Sequence, residues 1–564
     1  MTSFVPVSLF AAAASVAFWQ SSRSAVLWDL TYSLEIAHRI ALGEVPYRDF
    51  VVPQPPLTFL LQAAVARAAG PGYLWHRVYC AVVAGCTVVM TWRIISLQLG
   101  EVSQTRARFL AFLAAAPIVF LNGYAILPLP FYDSDCAFFV LAALLALLEA
   151  RRRASGWLHV AAGVLVAVPA LAKQNTGLAA LLLVHGCLFV GAVTRSERAE
   201  RRAYALFLSG TVLSLVLLAA ALHAWAGLPN LYHWTVSYAA SRRWPAPRLL
   251  LTPYQQTGTW ITIAAALAGY LVVRRRGTRW TLPAGLGIIG LPLLVATRTM
   301  FRWGLAARST YLWGLGSVVG GVAAVAAGIK RRWSFESMIP IVAIGVAHAA
   351  FASQGVYDSA YSVWPFLTIT LAPLAAQLID AAAARRLAIG FVVLMSVGLT
   401  WLGYRHVARQ ERLGFVDLSG HVETASLAPI RGLAVPGTHI SDFERLVRRA
   451  DEIIPADDGV LFFPGEDPFF VASGRRPRLP IVLFDDTAMP FDRAHLMLLL
   501  EERGIDWVIV KDSLQLRNAP WRDMKAFVTS DLPARYELVE AMPRYRILKA
   551  RRKPAGAVGS LATQ

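Results

Sequence analysis

Long apolar blocks alternate with short polar breaks along the first 400 residues, and the pattern changes character after that. The blocks fall at roughly 4–20, 73–92, 109–127, 136–150, 157–172, 177–194, 203–226, 258–273, 281–297, 309–329, 337–352, 363–381 and 387–404. A hydrocarbon core of about 30 Å takes about 20 helical residues, so blocks of this kind predict membrane-spanning helices, about 13 of them. Basic clusters follow the even-numbered blocks: Arg93/Arg106/Arg108, Arg151–Arg153, Arg195–Arg202, Arg274–Arg279, Lys330–Arg332 and Arg385/Arg386. The positive-inside rule puts all of them on the cytoplasmic face. An odd number of spans then places the tail on the opposite, extracytoplasmic side.

Between the first two spans lies an outer segment of about residues 20–73. Leu30, Leu34, Ala37 and Ala41 recur at helical spacing there, which predicts an amphipathic helix lying in the interface and closed by Gly43. Pro55-Pro56 suits the start of a second one over Leu57–Ala69. Beyond residue 404 the periodicity predicts a linker over 405–440 and a small α/β domain over 441–553. Its elements are a helix around Phe443–Ile454, strands at Val460–Phe463, Ile481–Phe484 and Asp506–Val510, and a helix over Ala494–Arg503 ending at Gly504. Residues 554–564 read as a disordered tail. The fold class is thus a polytopic α-helical membrane protein, residues 1–404, with a small C-terminal α/β extracytoplasmic domain.

Composition agrees. Of 564 residues, 56% are hydrophobic and only 16% charged, against about 25% charged in soluble domains. The net charge of +19 is uneven: residues 1–404 hold 31 Lys/Arg against 13 Asp/Glu, and the remainder 23 against 22. A nucleic-acid binder would carry its basic face on the soluble part, so no nucleic-acid partner is expected. Cys80, Cys86, Cys136 and Cys187 all lie in or beside apolar blocks and read as buried thiols, with no zinc-ligand spacing.

Candidate chemistry sits in the outer loops. Asp29 opens the first interfacial helix, where it is either a helix cap or, beside an apolar wall, a general base. Asp133 and Asp135 stand two residues apart at a membrane boundary, where carboxylates are costly. Either caps the helix that follows, or the two bind a sugar hydroxyl or a metal ion. Lys173 lies between two apolar blocks and either snorkels or meets an anion. Arg242, Arg243 and Arg302 break the positive-inside trend, and an anionic ligand is the simplest reason for cations there.

The ordered set Asp29…Ala37…Gly43…Pro46-Tyr47-Arg48-Asp49…Pro55-Pro56-Leu57 resembles the bacterial GT-C glycosyltransferases, which include the lipid A aminoarabinose transferases and protein O-mannosyltransferases. Lys173-Gln174-Asn175-Thr176-Gly177 is similar to a recurring feature of related membrane glycosyltransferases. The tail resembles their C-terminal domains at Pro455-Ala-Asp-Asp-Gly-Val460, Phe469-Phe-Val-Ala-Ser-Gly-Arg-Arg-Pro477 and Asp506-Trp-Val-Ile-Val510. Many relatives carry Asp-Glu where this chain has Asp29-Leu30, which leaves the acceptor open. The resemblance implies an inverting transfer, in the bacterial cytoplasmic membrane, of a sugar from a polyprenyl-phosphate-linked donor to a lipid, polysaccharide or protein acceptor. It makes Asp29 the general base or the group that orients the acceptor. Asp49, Asp133 and Asp135 become the sugar, acceptor or metal candidates, and Lys173, Arg242, Arg243 and Arg302 the phosphate candidates. The resemblance leaves metal dependence open; a divalent cation, Mg or Mn, if present, would be held by Asp29, Asp133 and Asp135. Two other readings of the same features are a transporter or flippase for a lipid-linked saccharide and a non-enzymatic envelope scaffold.

Overall fold

The computed structural model describes residues 4–23, 27–100, 104–195, 197–242, 247–275, 280–303, 311–409, 421–486, 488–512, 514 and 521–551. It divides into two compact units. The first takes residues 1–24, 54–61 and 75–416; the second takes residues 25–53, 62–74 and 417–564. The outer segment is therefore shared out, with most of it grouped with the tail.

The first unit is helical. Among the described residues nine helices are long and apolar enough to cross a membrane: Phe4–Ser22, Tyr73–Gln98, Gln174–Arg195, Arg198–Ala226, Thr257–Arg274, Tyr311–Lys330, Phe335–Ser353, Ser359–Ala381 and Arg385–Ala408. The four other apolar blocks are helical too, but shorter, interrupted or more highly charged. Block 109–127 is broken into Gln104–Ala115, Ile118–Leu121 and Gly123–Ile126, with Pro117 at the first break. Block 157–172 is Gly156–Ala167 followed by the tight turn Val168–Leu171. Tyr132–Arg152 carries Asp133, Asp135, Glu149, Arg151 and Arg152, and Thr281–Trp303 contains Pro292. Exposed large apolar side chains such as Leu213, Val216 and Leu217 on Arg198–Ala226 are what a lipid-facing surface requires. The chain is a multi-pass membrane protein by this measure.

Small residues bring helices together where no water drives packing. Gly163 and Gly210 face each other's backbones: a Cβ on Gly163 would lie 2.0 Å from the Phe207 carbonyl oxygen, and one on Gly210 would lie 2.1 Å from that of Val160. Thr211 Oγ1 donates across the same crossing to the Gly163 carbonyl, at 3.0 Å. Cys80, Cys136 and Cys187 are buried, Cys86 partly so, and all four are free thiols.

In the second unit, two short strands, β1 (Val422–Thr424) and β2 (Ala434–Pro436), pair antiparallel, within the stretch expected to be linker. The main sheet has the order β3-β4-β6-β5, with β3 at Gly459–Phe463, β4 at Ile505–Lys511, β5 at Tyr536–Ala541 and β6 at Tyr545–Ala550. β3 and β4 run parallel, and the other two pairings are antiparallel. β3 is buried along its whole length, which is why it reads as an unbroken apolar run. Helices His439–Ile453 and Arg493–Glu502 fall where their periodicity predicts. Ile481–Phe484 is not a strand. It is a buried coil segment in which Phe484 N–H donates to the Pro464 carbonyl, at 3.0 Å. The tail from 554 onward lies outside the described residues.

Candidate active site

Asp133 and Asp135 occupy the first turn of Tyr132–Arg152, yet neither caps it. The N-cap position is Phe131, with no side-chain cap. Both are buried, at 3% and 0% exposure, and their partners differ. Asp135 Oδ1 accepts from Tyr79 Oη at 2.8 Å and Tyr124 Oη at 2.5 Å, and its Oδ2 accepts from Thr58 Oγ1 at 2.7 Å. A carboxylate ringed by three hydroxyl donors has most of its acceptor capacity spent within the protein, and it ties four chain segments together.

Asp133 faces a different set. Its Oδ1 forms an ion pair with Lys173 Nζ, and its Oδ2 accepts from Tyr361 Oη. Local backbone structure delivers the lysine. The turn Val168–Leu171 ends the preceding helix, Lys173 N–H donates to the Pro169 carbonyl at 3.0 Å, and Gly177 N–H donates to the Lys173 carbonyl at 2.8 Å. Only glycine fits at 177, since a Cβ there would lie 2.2 Å from the Ala170 backbone nitrogen. Gln174 Nε2 donates to the Thr235 carbonyl at 3.0 Å and Asn175 Nδ2 to the Ala349 carbonyl at 2.5 Å, which anchors the turn on both sides. Lys173 itself is 5% exposed, and its Nζ lies 5.9 Å from the centre of the Tyr132 ring. Among the described residues this ammonium has an ion pair with Asp133 and no hydrogen bond beyond it. Two of its three protons thus remain to be spent.

Asp29 belongs to the second unit. It lies in the first turn of helix Leu27–Ala41 rather than at its cap, and is partly exposed. The helix is not the one-sided interfacial helix that its periodicity predicts: residues 30–37 are all buried. Two polar side chains one turn apart fasten it to the chain around 466–471. Thr31 Oγ1 donates to the Glu466 carbonyl at 2.8 Å, and Glu35 Oε1 accepts from the Phe470 and Val471 N–H groups at 3.0 and 3.3 Å. Burial pushes the Glu35 carboxyl up to about 8, against the opposing pull of those N–H groups and Arg39. Arg39 pairs with Glu44 at 2.7 Å and donates to the Leu479 carbonyl at 2.8 Å. Arg67 Nη2 takes up the helix's terminal Ile40 carbonyl at 2.7 Å.

Under the 466–471 stretch sits a closed polar network. Lys511, with no exposed side-chain surface, meets Glu466 and Asp467, each at 3.0 Å. Asp467 also receives His439 Nε2 at 3.1 Å and Tyr545 Oη at 3.0 Å. Burial alone would raise the Asp467 carboxyl, but Lys511 and His439 outweigh it and hold it well below the usual carboxylate range.

The remaining candidates are placed less centrally. Asp49 closes the turn over 45–49, accepting from Val45 N–H at 2.7 Å and pairing with Arg48 at 3.0 Å. The Pro46-Tyr47-Arg48-Asp49 motif is thus a tight turn, with buried Tyr47 held at φ 71°. Arg242 is exposed, and its guanidinium lies 5.1 Å from the Tyr238 ring centre. Arg243 lies outside the described residues, as does the side chain of Arg302, whose backbone continues helix Thr281–Trp303. Among the described residues no three His, Cys, Asp or Glu side chains converge in a way that could hold a metal ion. Asp135 is occupied by hydroxyl protons and Asp133 by a lysine and a tyrosine, so as paired here these two do not fit a divalent cation. Glu35, Tyr361 and the Tyr79/Tyr124/Thr58 set were not evident in the sequence. The one available signal was Glu35, an acid flanked by Leu34 and Ile36 in a helix apolar on several sides.

No family model matches the sequence, and no curated protein matches it. The fold does find its like among solved membrane-protein structures. The particular structures it resembles are of two kinds. The oligosaccharyltransferase of Archaeoglobus fulgidus, in complex with Zn and sulfate, aligns at TM-score 0.51 and 15% identity, over 89% of this chain and 68% of that one. The same organism's oligosaccharyltransferase AglB, in complex with an inhibitory peptide and a dolichol-phosphate, aligns at TM-score 0.50 and 13% identity, over 90% and 70%. ArnT from Cupriavidus metallidurans bound to undecaprenyl phosphate aligns over 96% and 97% of the two chains, at 14% identity and TM-score 0.45.

Proposed function

We propose that this chain is an inverting glycosyltransferase of the GT-C type. It moves a sugar from a polyprenyl-phosphate-linked donor to a cell-envelope acceptor at the outer face of a bacterial cytoplasmic membrane. The observation that carries this reading is the Asp133–Lys173–Tyr361 cluster, set at helix ends in a fold shared with an oligosaccharyltransferase solved in complex with a dolichol-phosphate. A buried ammonium with protons to spare is suited to an oxyanion, and a phosphate leaving from the anomeric carbon develops one.

In this reaction the acceptor hydroxyl attacks the anomeric carbon from the face opposite the phosphate, and Asp29 takes its proton. The bond from the anomeric carbon to the phosphate oxygen breaks, and the electron pair leaves with the phosphate, whose new charge Lys173 stabilises. Asp133 holds the lysine in place through their ion pair and aims it, with Tyr361 fixing the other carboxylate oxygen. Asp135 holds the local helix starts in register, and no step is routed through a metal ion. Arg242, Arg243 and Arg302 are further phosphate candidates, and Asp49 keeps the turn after the Asp29 helix.

The test is transfer from a polyprenyl-phosphate sugar by the full-length protein. Asp29→Asn is expected to lower kcat by about a hundredfold or more with folding unchanged. Unaltered transfer in that variant would remove Asp29 from the reaction. No transfer by the natural chain with any polyprenyl-phosphate sugar would return the transporter and scaffold readings to first place.

A further inference from the structure

The end of the helical unit that carries the basic clusters holds a cavity of about 510 Å³. Its lining includes Arg93, Arg108, Arg151 and Arg152, with Ser96 and Gln104 as neutral polar groups and Glu336 as its lining carboxylate. The arginines come from three separate stretches of sequence and converge here. By the positive-inside rule this is the cytoplasmic end, opposite the proposed reaction.

The charges around this cavity do not balance. Arg93, Arg152 and Arg153 share the single carboxylate of Glu149, at 2.6, 2.7 and 3.3 Å. Arg151 sits between Glu200 at 2.8 Å and Glu336 at 2.9 Å, and Glu200 also serves Arg195 at 3.0 Å. For Arg108 no ion pair is found among the described residues. Six arginines are thus met by three glutamates. Arginines forced to share an acceptor keep N–H groups in a fixed fork, which suits a phosphate's oxygens better than another side chain would. Leu97, Ala107 and Leu148 give the same cavity an apolar wall, so a phosphate there could carry a hydrocarbon substituent. A second cavity, of about 480 Å³, opens on the other side of Arg151 and is lined by Arg198 and Arg202.

The geometry points to an anion site at Arg93, Arg108, Arg151 and Arg152 that binds a phosphodiester headgroup of an anionic membrane lipid on the face opposite the reaction. Basic pockets between spanning helices on the cytoplasmic side are suited to such headgroups. The site is independent of the glycosyl-transfer reading and needs no residue from it.

Native mass spectrometry of the full chain in detergent tests this, with cardiolipin, phosphatidylglycerol and phosphatidylcholine titrated in parallel and inorganic diphosphate as the soluble probe. Anionic lipid is expected to bind at least fivefold tighter than phosphatidylcholine. Arg108→Gln together with Arg152→Ala is expected to remove at least fivefold of that preference. Arg108→Gln alone leaves no recorded ion pair broken, so it reads the site even if the double variant fails to fold, and at least a twofold loss is expected from it. Diphosphate binding with the same arginine dependence, and no lipid preference, would keep the phosphate site but reassign its ligand to a soluble one. Equal binding of anionic and zwitterionic lipid with no diphosphate binding, or anionic lipid and diphosphate bound undiminished by either variant, overturns the proposal.

Discussion

Two lysines among the described residues are buried, and they are provided for in opposite ways. Lys511 ends a central strand and has two carboxylates at 3.0 Å, one of which is itself held by a histidine and a tyrosine. Lys173 ends a turn between two helices and has one carboxylate, with a tyrosine on that carboxylate's far oxygen. A buried charge costs several kcal/mol to desolvate and must recover it from its neighbours. The first cluster recovers it fully within the protein and so fixes the fold of the second unit. The second leaves valence open and so suits a ligand. Burial of a cation alone does not separate a structural role from a chemical one; the count of its partners does.

Breaking each cluster should separate the two roles. The largest effect is expected from Lys511→Met. It leaves Glu466 and Asp467 facing each other in a dry interior and should cost about 3–5 kcal/mol, seen in the full chain as protease cleavage of the second unit at temperatures the natural chain survives. Removing the other pair as a unit, with Asp133→Asn and Lys173→Met together, should keep the fold and lower kcat by about a hundredfold or more, measured as sugar transfer. If that double variant unfolds as readily as Lys511→Met, the two lysines are not different in kind.

A third, smaller effect comes from pH. The Glu35 carboxyl, raised to about 8, takes a proton in the folded chain at pH values where the unfolded chain has lost it. Its contribution is therefore complete below pH ~4.5, is lost as pH rises through about 8, and levels off above. The slope in that window is about 1.4 kcal/mol per pH unit for one proton. Glu35→Gln keeps an oxygen for the Phe470 and Val471 N–H groups and should flatten the slope in a denaturant titration run from pH 5 to pH 8. An unchanged slope would assign the dependence to another group.

How far the sequence announced all this depends on the range of the interaction. The helices were legible because each apolar block is its own evidence, and Gly43, at φ 98°, closes its helix as its position suggests. β3 and β4 were legible as unbroken apolar runs. Ile481–Phe484 has the same composition but lies as buried coil, with Phe484 N–H donating to the Pro464 carbonyl just beyond β3. β5 and β6 were missed because β5 is an edge strand with Leu538 and Val539 exposed, and its alternation is blurred by Glu537 and Glu540. The site was half legible. Asp29, Asp133, Asp135 and Lys173 stood out as charges in costly places. That Lys173 and Asp133 are each other's partner could not be read, since pattern within a segment says nothing about pairing between segments. Nor could it be read that Asp135, two residues from Asp133, is a knot of hydroxyls.

That knot has a consequence for the order in which the molecule is made. Its donors Thr58, Tyr79 and Tyr124 precede Asp135 in the chain by 77, 56 and 11 residues, so all three have left the ribosome before the carboxylate appears. Asp133 emerges at nearly the same moment, but Lys173 is still to come, and Tyr361 follows 228 residues later. One acid finds its neighbours waiting for it; the other must wait for its own. The half of the site that holds the framework closes early in synthesis, and the half assigned to the chemistry is completed only when most of the helical unit has been laid down.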